Sequence, residues 1–221
     1  YIYCPGGIMA KTDEWRQPLS TWQTTVRRWA TSPTPDAVMR VSIFFDLRSI
    51  YGDHTLCDRL QETMLQQTSS NSIFLAALAA NALDSKPPLG IFRRFVVERD
   101  GEHRDTLDLK KRGVLPVTEI VRLHALAHSI SAVNTNERLQ ALAHARHMTI
   151  VDSRNLADAL HFIQHERIKH QCQQIVRGEK VTNFINPRDL PKMAKEQLRD
   201  AFTIIDEAQS AVRQTYRAGL G

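Results

Sequence analysis

The spacing of apolar residues predicts a mainly helical protein. Trp22, Val26 and Trp29 recur at helical spacing after Ser20, a residue suited to a helix N-cap, so we expect these three side chains in the core. Caps, prolines and glycines mark the ends of further helices. The predicted helices lie at about residues 20–31, 36–52, 55–67, 73–83, 116–128, 135–147, 152–177 and 188–216. Asp152 is the predicted cap of the seventh, in which Cys172 and Ile175 are expected to point inward.

One stretch departs from the helical pattern and predicts a β-hairpin. It spans Phe92 to Glu119, where strand-favouring residues flank Asp100-Gly101, a dipeptide typical of two-residue turns. Such a turn determines which residues share a face. The opposed pairs would be Arg99 with Glu102, Val97 with Arg104, Phe95 with Thr106, and Arg93 with Asp108. We expect the face with Arg93, Phe95, Val97, Arg104, Asp108 and Lys110 to be available for chemistry, and the face with Phe92, Val96, Leu107 and Leu109 to be packed.

The composition is that of an ordinary soluble globular protein, with 42% apolar and 24% charged residues among 221. No run approaches the roughly 20 apolar residues of a membrane span, and no signal peptide opens the chain, so we expect no membrane contact and a cytoplasmic location. The chain starts without methionine, which suggests a fragment of a longer protein. A polar run, QQTSSNS, predicts a domain boundary, with one domain at residues 1–66 and a helical one at 67–221.

Cysteine and charge content limit which kinds of site and ligand we expect. Cys4, Cys57 and Cys172 are scattered and odd in number, so neither a disulfide framework nor a thiolate metal site is expected. The net charge of +5 is mild and its cations are spread among acids. This pattern fits a phosphate-bearing ligand and does not favour nucleic acid.

Two groups of residues are candidates for chemistry. Converging cations on the predicted hairpin face suit a polyphosphate, and Asp108 among them could orient a cation or reach a metal. The alternative is a solvated face whose Arg93–Asp108 pair contributes less than about 1 kcal/mol. Asp46, an acid in an apolar helix with Arg48 nearby, predicts either an orienting partner or the edge of a site. The alternative interpretation is that Asp46 is an exposed acid on the polar face of its helix.

The histidines favour structural or surface roles. His161 and His165 are four residues apart on one predicted helix, where they would need a third ligand to bind zinc. His165-Glu166 and His170 are one residue too far apart for a zinc-protease helix. His144 and His147 are interpreted in the same way. The chain contains no GxxxxGK[ST], GxGxxG or GxSxG motif, so a glycine-rich phosphate loop is not expected.

Several long motifs together resemble a family of bacterial nucleotidyltransferases that carry cyclic-nucleotide-binding-like and CBS domains upstream of a nucleotidyltransferase domain and a C-terminal substrate-binding domain. The motifs are YCPGGIMA, WRQPLSTW, IFFDLRSIYGD, LGIFRRFVVERDGEHRDTLDLKKRG and NTNERL. More distantly, RSIYGDHTL and LDLKKRG are similar to segments of the uridylyltransferase that modifies the PII signalling protein and of the glutamine synthetase adenylyltransferase. The matching positions are Arg48, Gly52, Asp53, Asp108 and Lys110.

The resemblance implies a helical bundle with one β-hairpin, preceded by the C-terminal strand and helix part of an α/β nucleotidyltransferase domain. It implies transfer of a nucleotidyl group from a nucleoside triphosphate to an acceptor, with a protein as one candidate, and Mg²⁺ as the ion of the full-length parent. Arg104 and Lys110 would contact polyphosphate or acceptor, Asp108 would orient them or a metal-bound water, and Arg48 with Asp53 would support the domain junction.

The same comparison identifies what the chain lacks. Such enzymes hold divalent ions with a Gly-Ser turn and an Asp-x-Asp strand. Neither motif occurs in this chain. The relatives' Gly-Gly and Arg-Asp pair is replaced by Gly113-Val114-Leu115-Pro116, with Glu119 nearest the acidic position. We therefore expect this fragment to bind no metal ion and to be inactive alone. The alternative is a non-catalytic helical module that relays the ligand state of upstream sensor domains.

Overall fold

The computed structural model describes residues 12–216, and helices dominate this part of the chain. Eight α-helices are present there, with short 3₁₀ turns at Asp13–Trp15, Ile91–Arg93 and Pro187–Asp189. The helices are α1 (Leu19–Thr31), α2 (Pro35–Phe44), α3 (Thr55–Thr68), α4 (Ser72–Asp84), α5 (Leu115–Ala127), α6 (Thr135–His144), α7 (Ile150–Val176) and α8 (Lys192–Tyr216). Two short strands, β1 (Leu107–Asp108) and β2 (Phe184–Ile185), pair antiparallel. The predicted class, mainly α with one antiparallel strand pair, is confirmed.

Local signals account for most helix starts. The side chains of Asn71 and Thr149 accept hydrogen bonds from the amides of Phe74 and Asp152, at 3.0 Å each, so both residues cap helices. Asp152 therefore lies inside the first turn of α7, and our placement of the cap at Asp152 is wrong by three residues. Thr149 and Asp152 form a reciprocal pair, because the Thr149 hydroxyl donates to the Asp152 carboxylate at 2.6 Å.

Two hydrophobic cores lie side by side. The first joins α1 to α5 with the end of α8 and includes Trp29, Phe45, Phe74 and Leu123. The second joins α5 to α8 with both strands and includes Leu107, Leu139, Ile163 and Phe202. Helix α5 divides its faces between them, since Ile120 belongs to the first and Val121 to the second. The predicted core positions Val26 and Trp29 are confirmed, with Trp22 packed against the first core.

The predicted hairpin around Asp100-Gly101 is wrong in its pairing. Strand β1 pairs with β2, with Leu107 opposite Ile185 and Asp108 opposite Phe184. Residues 98–106 instead form a loop closed where the Glu98 amide donates to the Thr106 carbonyl at 2.9 Å. The reason is burial, because Leu107 and Leu109 lie in the second core next to β2.

The two faces that we assigned to that hairpin also change. Phe92, predicted to be packed, is 90% exposed and lies with Arg93 at positive φ in a tight loop. Val96 is 41% exposed. Phe95 and Val97, predicted to be on the open face, pack against the second core. Arg93 pairs with Asp200 at 2.5 Å instead of with Asp108.

Three helix boundaries and two buried positions also differ from prediction. Helix α2 ends at Phe44, where we expected helix to Gly52, and residues 45–54 form an irregular connection. The side chain of Asp46 is held there by two arginines of α5 and α6, and Ile50 is 88% exposed. Helix α1 begins at Leu19, before Ser20, and α6 ends at His144, before the expected His147. Cys172 and Ile175, predicted to point inward, are exposed.

Residues on both sides of the predicted domain boundary share the first core. Leu60 and Met64 of α3 pack in the same cluster as Phe74 and Leu78 of α4. The division at residues 66 and 67 stays a prediction. The predicted strand and Gly-Gly turn of YIYCPGGIMA, with Cys4, lie outside the described residues. None of the helices in residues 12–216 has the length and apolar character needed to cross a membrane.

Candidate functional site

Asp108 and Lys110 lie together where β1 passes into α5. The Asp108 carboxylate accepts hydrogen bonds from the amides of Lys110 and Lys111, at 3.0 and 2.9 Å. It thereby caps a π-helical turn, Lys110–Val114, that continues directly into α5. A carboxylate at this position is stabilised by the helix dipole as well as by the two amides. We refer to Asp108, Lys110, Lys111 and Arg112 as the basic turn.

The basic turn presents cations to solvent. Lys110 and Lys111 are exposed, whereas Arg112 pairs with Glu98 at 3.3 Å. Their backbone is held from below, since Leu109 is fully buried and its amide donates to the Asn183 carbonyl at 3.0 Å. π-Helical turns within longer helices are frequent at functional sites. Neither ammonium group has an ion-pair partner among the described residues, so both can bind an anionic ligand from a turn of fixed backbone.

A close contact holds the basic turn against the bundle. A Cβ atom added at Gly113 would lie 2.9 Å from Cγ2 of Ile163 in α7 and 3.4 Å from a ring carbon of Phe202 in α8. Real side chains do not approach so closely, so the turn needs glycine here. Gly113 is thus the residue that lets the backbone of the site lie on the second core.

Arg104 lies in the loop of residues 98–106 and is exposed. Its amide donates to the Gly101 carbonyl at 3.3 Å, within a turn that Gly101 makes at φ +79°. The loop folds over β2, since the rings of His103 and Phe184 stack with centroids 3.6 Å apart. No hydrogen bond or ion pair joins Arg104 to Asp108 or Lys110 within residues 12–216.

Arg48 and Asp53 lie in the connection before α3, and both are exposed. Asp53 accepts hydrogen bonds from the amide and hydroxyl of Thr55, at 3.0 and 2.7 Å, and these bonds lower its pKa. It therefore acts at the start of α3. In the described part of the chain no ion pair links either residue to the basic turn, so the structure brings together only Asp108 and Lys110 among these five predicted residues.

Asp46, the sixth predicted residue, belongs to a different arrangement. Its carboxylate lies 2.6 Å from an Arg122 nitrogen and 2.8 Å from an Arg138 nitrogen. Arg122 also pairs with Glu119 at 2.6 Å, and the Asn81 amide donates to Glu119 at 3.4 Å. We call Asp46, Glu119, Arg122 and Arg138 the ion cluster. It connects the segment after α2 with α4, α5 and α6.

The two arginines of the ion cluster are largely removed from water, whereas the Asp46 side chain is 37% exposed. Arg138 is 1% exposed, and its guanidinium lies 4.2 Å from the centre of the Phe45 ring while donating to the carbonyls of Ala132 and Phe45. Burial lowers the pKa of Arg138 in spite of Asp46 beside it. Burial also opposes the charge of Arg122, but Glu119 and Asp46 outweigh this and raise its pKa.

A second group combines His147, for which the sequence favours a structural or surface role, with two histidines that the sequence pattern did not single out. The rings of His128 and His147 stack with centroids 3.8 Å apart, and His124 lies one turn earlier on α5. The His124 Nδ1 atom lies 3.4 Å from the Tyr216 hydroxyl. Burial, with His128 nearby, lowers the pKa of His124 to about 4, and burial raises that of Tyr216 to about 12. The spacing of His124 and His128 was the only sequence signal for this group.

Metal ligation finds no support among residues 12–216, where no group of three or more His, Cys, Asp or Glu side chains could hold an ion. His161, His165 and His170 are not gathered with further ligands there.

Two segments of this chain match known protein families. Residues 72–216 match the family described as Putative nucleotidyltransferase substrate binding domain. The chain belongs to this family. Residues 1–36 match a second description, Putative nucleotidyltransferase DUF294. The basic turn, the ion cluster residues of α5 and α6, and the histidines of α5 all lie within the substrate-binding match. No curated protein and no solved structure matches the chain.

Proposed function

We propose that this chain is the substrate-binding part of a nucleotidyltransferase that moves a nucleotidyl group from a nucleoside triphosphate to an acceptor. The observation that carries the proposal is the order of the two family matches on one chain, a nucleotidyltransferase segment at residues 1–36 followed by a substrate-binding domain at 72–216. A protein is one candidate acceptor, as in the PII-modifying enzymes that two motifs resemble.

The basic turn supports the proposal by its geometry. A triphosphate needs cations that are both free and fixed in position. Lys110 and Lys111 meet this need, because the Asp108 carboxylate and the buried Leu109 hold their backbone while their ammonium groups face solvent. In this role Asp108 positions the lysines through its hydrogen bonds to their amides. Arg104 would extend the contact from the neighbouring loop.

The ion cluster supports a connection between the two matched segments. Asp46 lies in the part of the chain between the two matched segments, whereas Arg122 and Arg138 belong to the second match. Arg138 is buried and Asp46 is its ion-pair partner, so removing the Asp46 carboxylate would leave the charge of a buried guanidinium without compensation. The proposal gives Arg48 and Asp53 a supporting role in the same connection.

Catalysis would require Mg²⁺, which the enzymes that this chain resembles hold with a Gly-Ser turn and an Asp-x-Asp strand. The sequence of this chain contains neither motif. We therefore propose that this chain binds the nucleotide without transferring it, and that transfer needs the full-length parent.

Calorimetry with the four nucleoside triphosphates and Mg²⁺ tests the proposal, beginning with UTP because of the uridylyltransferase resemblance. We expect Lys110→Ala to weaken triphosphate binding about tenfold, which corresponds to about 1.4 kcal/mol. Arg27→Ala removes an exposed cation of α1 and should leave the affinity unchanged. Equal losses in the two variants would assign the effect to net charge and contradict a site at the basic turn.

A label on the α-phosphate separates binding from transfer. The chain alone should leave it on the nucleotide, and turnover that disappears in Lys110→Ala would contradict the proposed division of labour. Absence of binding to all four triphosphates, in the full-length parent as well, would favour the relay module coupled to upstream sensor domains.

A further inference from the structure

A cavity of about 320 Å³ opens between α5, the start of α7 and α8. Its apolar floor is defined here by the lining residues Ile120 of α5 and Leu156 of α7, both nearly fully buried, with Ile204 of α8. Polar side chains belong to the same lining. Cavities of this size that combine an apolar floor with a few polar groups typically bind small organic molecules.

The charge of the lining selects the class of ligand. Asp152 and Glu207 contribute two carboxylates, and no lysine or arginine of residues 12–216 lines the cavity. His124 also lines it and is neutral at pH 7, because burial lowers its pKa to about 4. The lining therefore carries negative charge and repels phosphates and carboxylates.

The two carboxylates differ in what they already bind. Asp152 caps the first turn of α7 with Thr149, whose hydroxyl donates to it at 2.6 Å. The positive end of the α7 dipole is thus matched by an anion of the chain itself. Glu207 is exposed on α8 and has no hydrogen-bond or ion-pair partner within residues 12–216. It is the carboxylate available to a ligand.

Imidazole rings form one side of the same cavity. His147 lines it while stacked on His128 at 3.8 Å, and His124 is held beside the Tyr216 hydroxyl at 3.4 Å. These contacts hold planar, polarisable groups next to the apolar floor. Flat rings of this kind stack on flat apolar groups of a ligand.

We propose that this cavity binds a small organic cation, an amine or guanidinium on an apolar stem, with Glu207 facing the charge and Ile120, Leu156 and Ile204 contacting the stem. Binding does not depend on the nucleotidyl transfer proposed above. If the proposed nucleotidyl transfer occurs, the cation belongs to the acceptor substrate, whose charge is opposite to that of the triphosphate. The cation could belong to a free amine or to a lysine side chain of an acceptor protein.

Three probes of one shape test the charge preference. Tyramine carries the cation, 4-(2-hydroxyethyl)phenol is its neutral counterpart, and 4-hydroxyphenylacetate carries an anion. With isoleucine methyl groups labelled for NMR, tyramine should shift the signals of Ile120 and Ile204, the neutral probe should bind at least tenfold more weakly, and the anion should not bind. Equal binding of the cationic and neutral probes would overturn the proposal, and so would preference for the anion.

A lysine residue blocked at both ends distinguishes the two sources of the cation. Binding of the blocked lysine with higher affinity than tyramine assigns the cavity to a protein side chain, and the reverse order assigns it to a free amine. Failure of both cations to shift either signal at millimolar concentration would overturn the proposal. Because no nucleotide is present, this result is independent of the test of the basic turn.

Variants on α8 supply a matched pair. Glu207→Gln should weaken tyramine binding about tenfold, whereas Asp206→Asn removes the same charge from the neighbouring residue, which does not line the cavity, and should change little. Ala211→Trp places a large ring at an exposed position of the lining and should abolish binding. Thermal unfolding of each variant checks the fold, and equal losses in the Glu207 and Asp206 variants would contradict a specific role for Glu207.

Discussion

The ion cluster and the basic turn use charge in opposite ways. In the ion cluster, Arg138 is almost fully buried and Arg122 nearly so, and the charged groups face each other at 2.6 to 2.8 Å. In the basic turn, the carboxylate of Asp108 binds backbone amides and leaves Lys110 and Lys111 in solvent. Charged groups that pair within the fold contribute to its stability. Exposed charged groups without a partner among the described residues are available to bind a ligand.

This difference separates residues that the sequence grouped together. Asp46 and Asp108 were both predicted as site residues, yet Asp46 lies between two arginines of the bundle and Asp108 caps a helix under exposed lysines. Removing a partner should therefore damage the fold in the first region and ligand binding in the second. The following predictions test that contrast, beginning with the largest expected effect on stability.

The largest effect is expected for Arg138→Met. The substitution leaves Asp46 with one partner and removes the donor of the Ala132 and Phe45 carbonyls, so unfolding should become easier by about 2 to 5 kcal/mol. Urea denaturation followed by circular dichroism measures it. Arg154→Met, which changes an exposed arginine of α7, should cost less than about 0.5 kcal/mol. Equal stability of the two variants would mean that the ion cluster contributes nothing.

The next largest effect on stability is expected on lowering the pH, through the protonation of His124. The folded chain holds the pKa of His124 near 4, whereas an unfolded histidine has a pKa of about 6.5. Between these values the unfolded chain binds more protons, so stability falls as pH is lowered from about 6.5 to 4. The loss attributable to this histidine approaches about 3 kcal/mol, at about 1.4 kcal/mol per pKa unit.

Comparison of variants isolates the His124 contribution from that of the carboxylates. His124→Gln should show a shallower dependence of unfolding free energy on pH in this window than the unmodified chain. His161→Gln, which changes an exposed ring, should keep the original slope. If the slope is the same in all three proteins, burial of His124 does not govern this part of the pH dependence.

Gly113→Ala distinguishes packing from helix propensity in the basic turn. Propensity alone predicts stabilisation of up to about 1 kcal/mol, because alanine favours helix over glycine. The 2.9 Å approach of the new Cβ to Ile163 predicts the opposite, a loss of about 1 to 3 kcal/mol. The sign of the change in urea midpoint decides between them. Stabilisation would show that the turn can move away from α7 at little cost.

The smallest stability effect in this series concerns Asp108. Asp108→Ala removes the acceptor of two amide hydrogen bonds and should cost about 1 kcal/mol, as for other helix caps. Asp108→Asn keeps an acceptor and should retain most of that stability. If Asp108→Asn nevertheless binds triphosphate as weakly as Lys110→Ala, the carboxylate charge contributes to the ligand site beyond its role as a cap.

The sequence by itself determined the helices whose signals are local. The predicted helix at residues 73–83 matches α4, Ser72–Asp84, to within a residue at each end, because an apolar pattern acts within a few turns. The pairing of Asp108 with Lys110 was also predictable, since a short motif contains both. Family resemblance identified the substrate-binding region, which the match to residues 72–216 confirms.

Tertiary structure alone decided where distant segments meet. Asp46 bonds to Arg122, 76 residues further along, and this contact replaces the helix that local pattern predicted. Leu107 pairs with Ile185 of β2 because both strands cover the second core, whereas Asp100-Gly101 gave only a local turn signal. The cavity beside Glu207 and His124 arises in the same way, from three helices that no local spacing connects. Local propensity acts over a few residues, but burial and charge pairing act between any residues that packing brings together.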